Sequence, residues 1–384
     1  MTAATVSRER VRPRAPAWVW AFLGHELLVA ACVLMTPGTP ATGTLRENMM
    51  FFSHAHFLFQ YDSLWFLAIA HYGYRIPGVG PGATVFFPLL PLVLHVTGAR
   101  VGLVVQQGAL AAVFWLLYRV LGRFGMTGTA RVRALWLFAV NPAAIYFSAL
   151  YAETWMMLSA LAGMELAASR RYPYAAAAGF LGSLAAAPAV LTGVIPLVLL
   201  LWRLVNRTRR DWAGIFAWGA GIGAGVGAYA IYLAIVFGHP LLFVSEQHRW
   251  NGVLTAPWTG WLGPFLPAGR AEYLHDPGLF ILLFAVATLL LAGSVFEVQR
   301  LFRRRDDWSA ALLAYVVTMT VLAFSFGTRG HVYHSTLRFL SPIFPAYMGL
   351  AARLPSVLYW SVATLFTVVA LRGGSLFAHG WFFQ

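Results

Sequence analysis

Asp62 is the side chain in this sequence best placed to do chemistry. It stands in QYDSLWFLAIAHYGY, residues 60 to 74, a stretch that is otherwise almost wholly apolar and aromatic. On a helix Asp62 shares a face with Trp65, Phe66 and Ile69, at spacings of three, four and seven. A carboxylate on such a face is partly stripped of water, which favours proton uptake and suits a general base. A plainer reading stays open at this point, because aspartate is a common N-cap and a helix could begin here. Metal chemistry lacks support: Asp62, Glu47, Glu246, Glu272 and Asp276 form no close pair. No D-x-D motif lies between Ser53 and Phe87, and no glycine-rich phosphate loop is present, which argues against a nucleotide-sugar donor. No cofactor is expected. Cys32 is the only cysteine, so neither an intramolecular disulfide nor a zinc–thiolate cluster can form.

The elements that must hold Asp62 are membrane helices. Of the 384 residues 60% are hydrophobic and 10% charged, against about half and a quarter in soluble domains. Apolar stretches long enough to cross a hydrocarbon core of roughly 30 Å recur along the chain. We read eleven spans, at residues 17–35, 101–120, 133–148, 153–168, 174–188, 189–202, 212–237, 278–298, 309–327, 337–352 and 355–371. Residues 51–70 and 83–97 are read as helices lying in the outer interface. The first would put His54, His56, Gln60 and Asp62 in lipid, at about 2.5–3.5 kcal/mol for a charge at mid-bilayer, and the second is broken by Pro88 and Pro91.

The net charge of +14 would suit nucleic acid, but all 27 basic residues are Arg and most lie between apolar spans. With the N-terminus inside, the clusters at Arg119 to Arg133, Arg170 and Arg171, Arg203 to Arg210, and Arg300 to Arg305 all fall on the cytoplasmic side, as the positive-inside rule requires. The expected protein is one all-α, polytopic domain over 1–384. It has an Arg-rich cytoplasmic tail at 1–16, a catalytic outer loop at 36–99 and a second outer loop at 239–277. The first apolar run follows an Arg-rich tail as a signal peptide would, yet its length, with His25 and Glu26 inside it, favours an uncleaved helix. Arg without Lys, with abundant Ala and Gly, suggests the cytoplasmic membrane of a high-GC bacterium.

QYDSLWFLAIAHYGY followed by FFPLLPLVLHV resembles the first outer loop of the PIG-V family of mannosyltransferases, integral membrane enzymes of the GT-C class. NPAAIYFSALYAETWMMLSAL (141–161), YLAIVFGHPLLFVSEQHRW (232–250) and LRFLSPIFPAYMGLA (337–351) are similar to further family segments, in the same order. The chain departs from the pattern at Tyr61, where the family favours Trp, at His239, where it favours Asp, and in AAAPAVLTG (185–193), which lacks an Arg before its Thr-Gly.

The resemblance implies a GT-C fold and an enzyme that moves a sugar, mannose in that family, from a polyprenyl-phosphate carrier to an acceptor hydroxyl. Transfer would occur with inversion at the outer face, with Asp62 as general base. The acceptor stays open between a glycolipid, a lipoglycan and a protein. Charge building on the leaving phosphate calls for a guanidinium. Arg338 comes first, with Arg329 and Arg75 after it, although an Arg at a span end also serves as a snorkelling anchor. Candidate sugar or acceptor contacts are Glu153, Gln247, His248, Trp250, Tyr74, His331 and His334. Glu153 equally suits the N-terminal dipole of its span, and Trp250 an interfacial belt. Phe51, Phe52, Phe57, Phe59 and Trp65 could form a groove for the prenyl chain or simply pack. The alternative function is a secondary transporter or lipid flippase in which Asp62 carries a proton or cation.

Overall fold

The computed structural model describes residues 16–35, 58–266, 276–328 and 335–378. Hydrophobicity without amphipathic relief leaves these segments one way to satisfy their backbone in lipid, as helices, and the described chain is almost entirely helical. In order, the helices are α1 (Ala17–Leu34), α2 (Asp62–Tyr72), α3 (Leu89–Arg123), α4 (Gly128–Ala139), α5 (Ala144–Ser148), α6 (Ala152–Ala168), α7 (Tyr172–Ala185), α8 (Val194–Val205) and α9 (Trp212–Phe237). They continue with α10 (Leu242–Ser245), α11 (Pro257–Leu262), α12 (Pro277–Phe302), α13 (Asp307–Ser325), α14 (Thr336–Leu340), α15 (Phe344–Arg353) and α16 (Ser356–Ala378). The described strands, β1 (Gly252–Leu254) and β2 (Phe326–Thr328), form an antiparallel ribbon that pairs Val253 with Gly327.

Seven stretches of the described residues are long and apolar enough to cross a membrane: α1, α3, Ala187–Val205, α9, α12, α13 and α16. The chain is therefore an integral, multi-pass membrane protein. The other four expected spans are shorter or broken. Residues 133–148 divide into α4 and α5 around Asn141 and Pro142; 337–352 divide into α14 and α15 around Ser341 and Pro342; α6 and α7 are single helices of 17 and 14 residues. Proline removes a backbone donor and clashes with the preceding turn, which explains both breaks. Of residues 83–97, expected as a helix in the interface, 89–97 are helical and are set off from the rest of α3 by a break at Gly98, where φ is 73°. Only glycine adopts that backbone cheaply.

Helices approach closely where small residues let backbones touch. A methyl group on Gly349 of α15 would run into the carbonyl of Gly293 on α12, the close small-residue packing that association in lipid relies on. The Arg clusters gather at one end of the bundle. Arg119 and Arg123 at the end of α3 clamp Glu165 near the end of α6; Arg203 reaches Asp211 and Asp307; Arg300 and Arg304 donate to the Phe124 carbonyl. Glu153, twelve residues before Glu165, lies about 18 Å away along α6 at 1.5 Å per residue, so the end that holds Asp62 and Glu153 is the opposite one. We expect Gly349→Ala to destabilise the protein by about 1–3 kcal/mol through overpacking, seen as a lower unfolding temperature in detergent, whereas Ala at the open Gly223 leaves that temperature unchanged or raises it.

Candidate active site

Three elements remote in sequence meet around one guanidinium. Asp62 is the first residue of α2, Glu153 the second of α6 and Arg338 the third of α14. Arg338 Nη1 donates to Asp62 Oδ2 at 2.6 Å, and Nε donates to Glu153 Oε1. The side chains of Arg338, Asp62 and Glu153 are 13%, 17% and 6% exposed, so these charge-assisted bonds are made nearly out of water, where they are strong and costly to break singly. The guanidinium carbon also lies 4.7 Å from the ring centroid of Tyr151 and 5.6 Å from that of Tyr146, a cation–π seat. With both acids ionised the cluster carries one net negative charge.

Asp62 does not cap its helix. Tyr61 holds the N-cap position, with φ at 48°, and no side chain caps α2. A non-glycine residue held there costs about 1–3 kcal/mol and persists only where its surroundings enforce it. Tyr151 supplies the constraint: its hydroxyl accepts the Asp62 amide at 3.2 Å and donates to the Gln60 carbonyl at 3.3 Å. The Tyr61 ring packs on Phe377, which also meets Tyr146 and Tyr151. Burial pushes the Tyr61 phenol above its usual range, so it stays neutral. Among the described residues nothing donates to Oδ1 of Asp62, and Oε2 of Glu153 and Nε2 of Gln60 are buried without a partner. Buried polar atoms ordinarily find one. A bound hydroxyl-bearing molecule would supply it.

The segment that delivers Tyr151 and Glu153 is a broken helix, and its freed carbonyls are caught by side chains. Gln106 Nε2 on α3 donates to the carbonyls of Phe147, Ala149 and Tyr151 at 3.2, 2.9 and 3.2 Å, while its Oε1 accepts from Trp155. Gln107 takes the Ser148 carbonyl and Thr154 the Phe147 carbonyl. His25 reaches the Ala139 carbonyl and the Ser148 hydroxyl. Irregular backbone at membrane depth is tolerated only when satisfied in this way.

No protein-family model matches the sequence, and no curated protein does. Among solved structures the chain is similar to the oligosaccharyltransferase of Archaeoglobus fulgidus, crystallised in complex with zinc and sulfate. The TM-score is 0.53 at 16% identity, over 96% of this chain and 53% of that one. The protein has the polytopic helical fold of the GT-C type. It spans about half the length of that enzyme.

Of the residues singled out in the sequence, the structure brings Asp62, Glu153 and Arg338 together. Arg329, His331 and His334 lie outside the described residues, as do Phe51, Phe52 and Phe57. Others make internal contacts away from this cluster. Arg75 donates to the Val236 carbonyl and lies over Phe237 at the end of α9, where exposed carbonyls attract a cation. The Tyr74 hydroxyl donates to the Phe86 carbonyl at 2.7 Å, and burial keeps that phenol far above its ordinary range. Trp250 gives its N–H to the Gly82 carbonyl and packs edge-on against Trp65 and Phe86, so it fastens the second loop to the first. Gln247 and His248 bond carbonyls of their own turn, at Phe243 and Ser245. Sequence reasoning missed Tyr151, Tyr146 and Gln106. Tyr151 had a signal, standing two residues before Glu153 in a motif already singled out, whereas Gln106 had none beyond being an amide in an apolar span. Gln106→Leu should cost about 2 kcal/mol or more by orphaning buried carbonyls, with faster amide exchange over 147–153 as the local readout; exchange unchanged from the parent would disprove the clamp.

Proposed function

We propose that this protein is a membrane glycosyltransferase of the GT-C class, using a polyprenyl-phosphate sugar, with mannose the first candidate, and an acceptor hydroxyl. The observation that carries the reading is the Asp62 carboxylate, part dry, fixed by Arg338 at one end of a GT-C-type fold with its Oδ1 open among the described residues. The Arg clusters at the far end support an outward-facing site by the positive-inside rule.

In this reading the acceptor hydroxyl approaches Oδ1 of Asp62. Its oxygen bonds to the anomeric carbon as the carbon–oxygen bond to the phosphate breaks, its proton passes to Asp62, and the phosphate leaves with the electron pair. Arg338 keeps Asp62 in place through Oδ2, and the partnerless Oε2 of Glu153 is suited to accept from a sugar hydroxyl. Two carboxylates outweigh one guanidinium, so the phosphate charge needs a second cation. Arg329, close before α14 in the chain, is our candidate.

Three measurements test this. With purified protein in detergent, labelled polyprenyl-phosphate mannose and a membrane glycolipid fraction, a labelled product is expected. Transport yields none without two compartments, so an absent product supports the transporter alternative. In that assay Asp62→Asn should lose about 100- to 10,000-fold in turnover, the scale of general base catalysis, while still binding donor; full turnover removes Asp62 from the mechanism. Arg329→Gln should raise KM for the donor and leave the acceptor KM alone, and an acceptor-side effect would reject the phosphate contact.

A further inference from the structure

The oligosaccharyltransferase of like fold was crystallised with zinc, so the acid end of this protein can be asked whether its residues fit a metal ion. Those described do not: among them no three His, Cys, Asp or Glu side chains form a group that could hold a metal ion. The place between the two carboxylates that face each other is taken by the Arg338 fork, one nitrogen on each acid. A divalent ion coordinates carboxylate oxygens directly, and here it would have to bind the same acids beside a fixed positive charge. Like charges in a nearly dry pocket repel strongly. Metal could enter only by expelling the guanidinium, which is itself seated on two tyrosine rings and cannot shed its charge.

We infer that Arg338 is the built-in cation of this site, doing between Asp62 and Glu153 the electrostatic work of a divalent ion, and that the two acids take up a metal only when the guanidinium is removed. The remaining lone pairs are already in place for that exchange: Oε2 of Glu153 has no partner, and nothing among the described residues donates to Oδ1 of Asp62. The planar guanidinium also sets the direction of one oxygen of each carboxylate, so Arg338 is a positioning residue that presents Oδ1 of Asp62. This inference deepens the glycosyl-transfer reading of the same site, but its metal-binding half can be read without any transfer.

The test uses the full chain in detergent and manganese(II), with bound ion counted by electron paramagnetic resonance. Wild type and Asp62→Asn should bind alike, because the parent has no site at Asp62 to lose. Arg338→Ser should bind manganese roughly 10- to 100-fold tighter than wild type, the range over which groups around a site tune metal affinity, and Arg338→Ser with Asp62→Asn should lose that gain. Arg338→Lys, which keeps the charge, should not acquire it. A manganese site in wild type that disappears in Asp62→Asn overturns the inference, as does a folded Arg338→Ser protein with no gain. Where Arg338→Ser fails to fold, the comparison of wild type with Asp62→Asn decides. In the transfer assay wild type should work equally with EDTA present; activity that EDTA abolishes and manganese restores also overturns it. Absence of any transfer would sink the enzymatic reading and leave the metal result standing.

Discussion

One guanidinium holds the functional end of this protein together. Arg338 joins the start of α2, the start of α6 and the middle of α14, segments separated by 91 and 185 residues, through two acids that would otherwise repel each other in a nearly dry place. Removing one partner of such a buried set leaves a bare charge and is far worse than never having had the set. The rest of the acid end is arranged to keep this contact: Tyr151 threads its hydroxyl between the Asp62 amide and the Gln60 carbonyl, and Tyr61 is forced into a backbone state that most side chains avoid.

The cluster can exist nearly out of water because its supports are polar only where they are used. The chain is interrupted between α5 and α6, which frees carbonyls of Phe147, Ala149 and Tyr151, and a single amide on α3 takes all three. A regular helix through 141–151 would need no such clamp, but the chain is extended at Ala149 and Tyr151, just before Glu153. The other broken segment carries Arg338, which sits on the short helix before Ser341 and Pro342. In both places a charged side chain of the cluster stands close to an interrupted helix.

Much of this was legible in the sequence. Composition and the recurrence of apolar stretches gave a polytopic helical protein, and every expected span has a helical counterpart. Where lengths differed, at 133–148 and 337–352, the cause was proline, whose presence was visible but whose effect on span length was not. At the acid end, Asp62, Glu153 and Arg338 each stood out as a charge in an apolar setting. That they touch one another could not be read, since their closeness is decided by packing among helices remote in sequence. Residue type does not decide roles in the loops, because Trp, Tyr, Gln and His bind sugars and fasten loops with the same atoms; Trp250 and Tyr74 do fasten loops. The resemblance that named a family is not joined by a matching family model, and the likeness of fold is what stands beside it.

The small β-ribbon has a consequence for how such a chain can grow. Residues 252–254 are zipped to 326–328, and α11 follows directly with Gly260 lodged against the Phe324 backbone. The stretch from there to α12 therefore begins and ends at fixed points. Added sequence between fixed points costs little, since closure entropy rises only slowly with length. An insertion there would leave the register of 252–254 against 326–328 where it is.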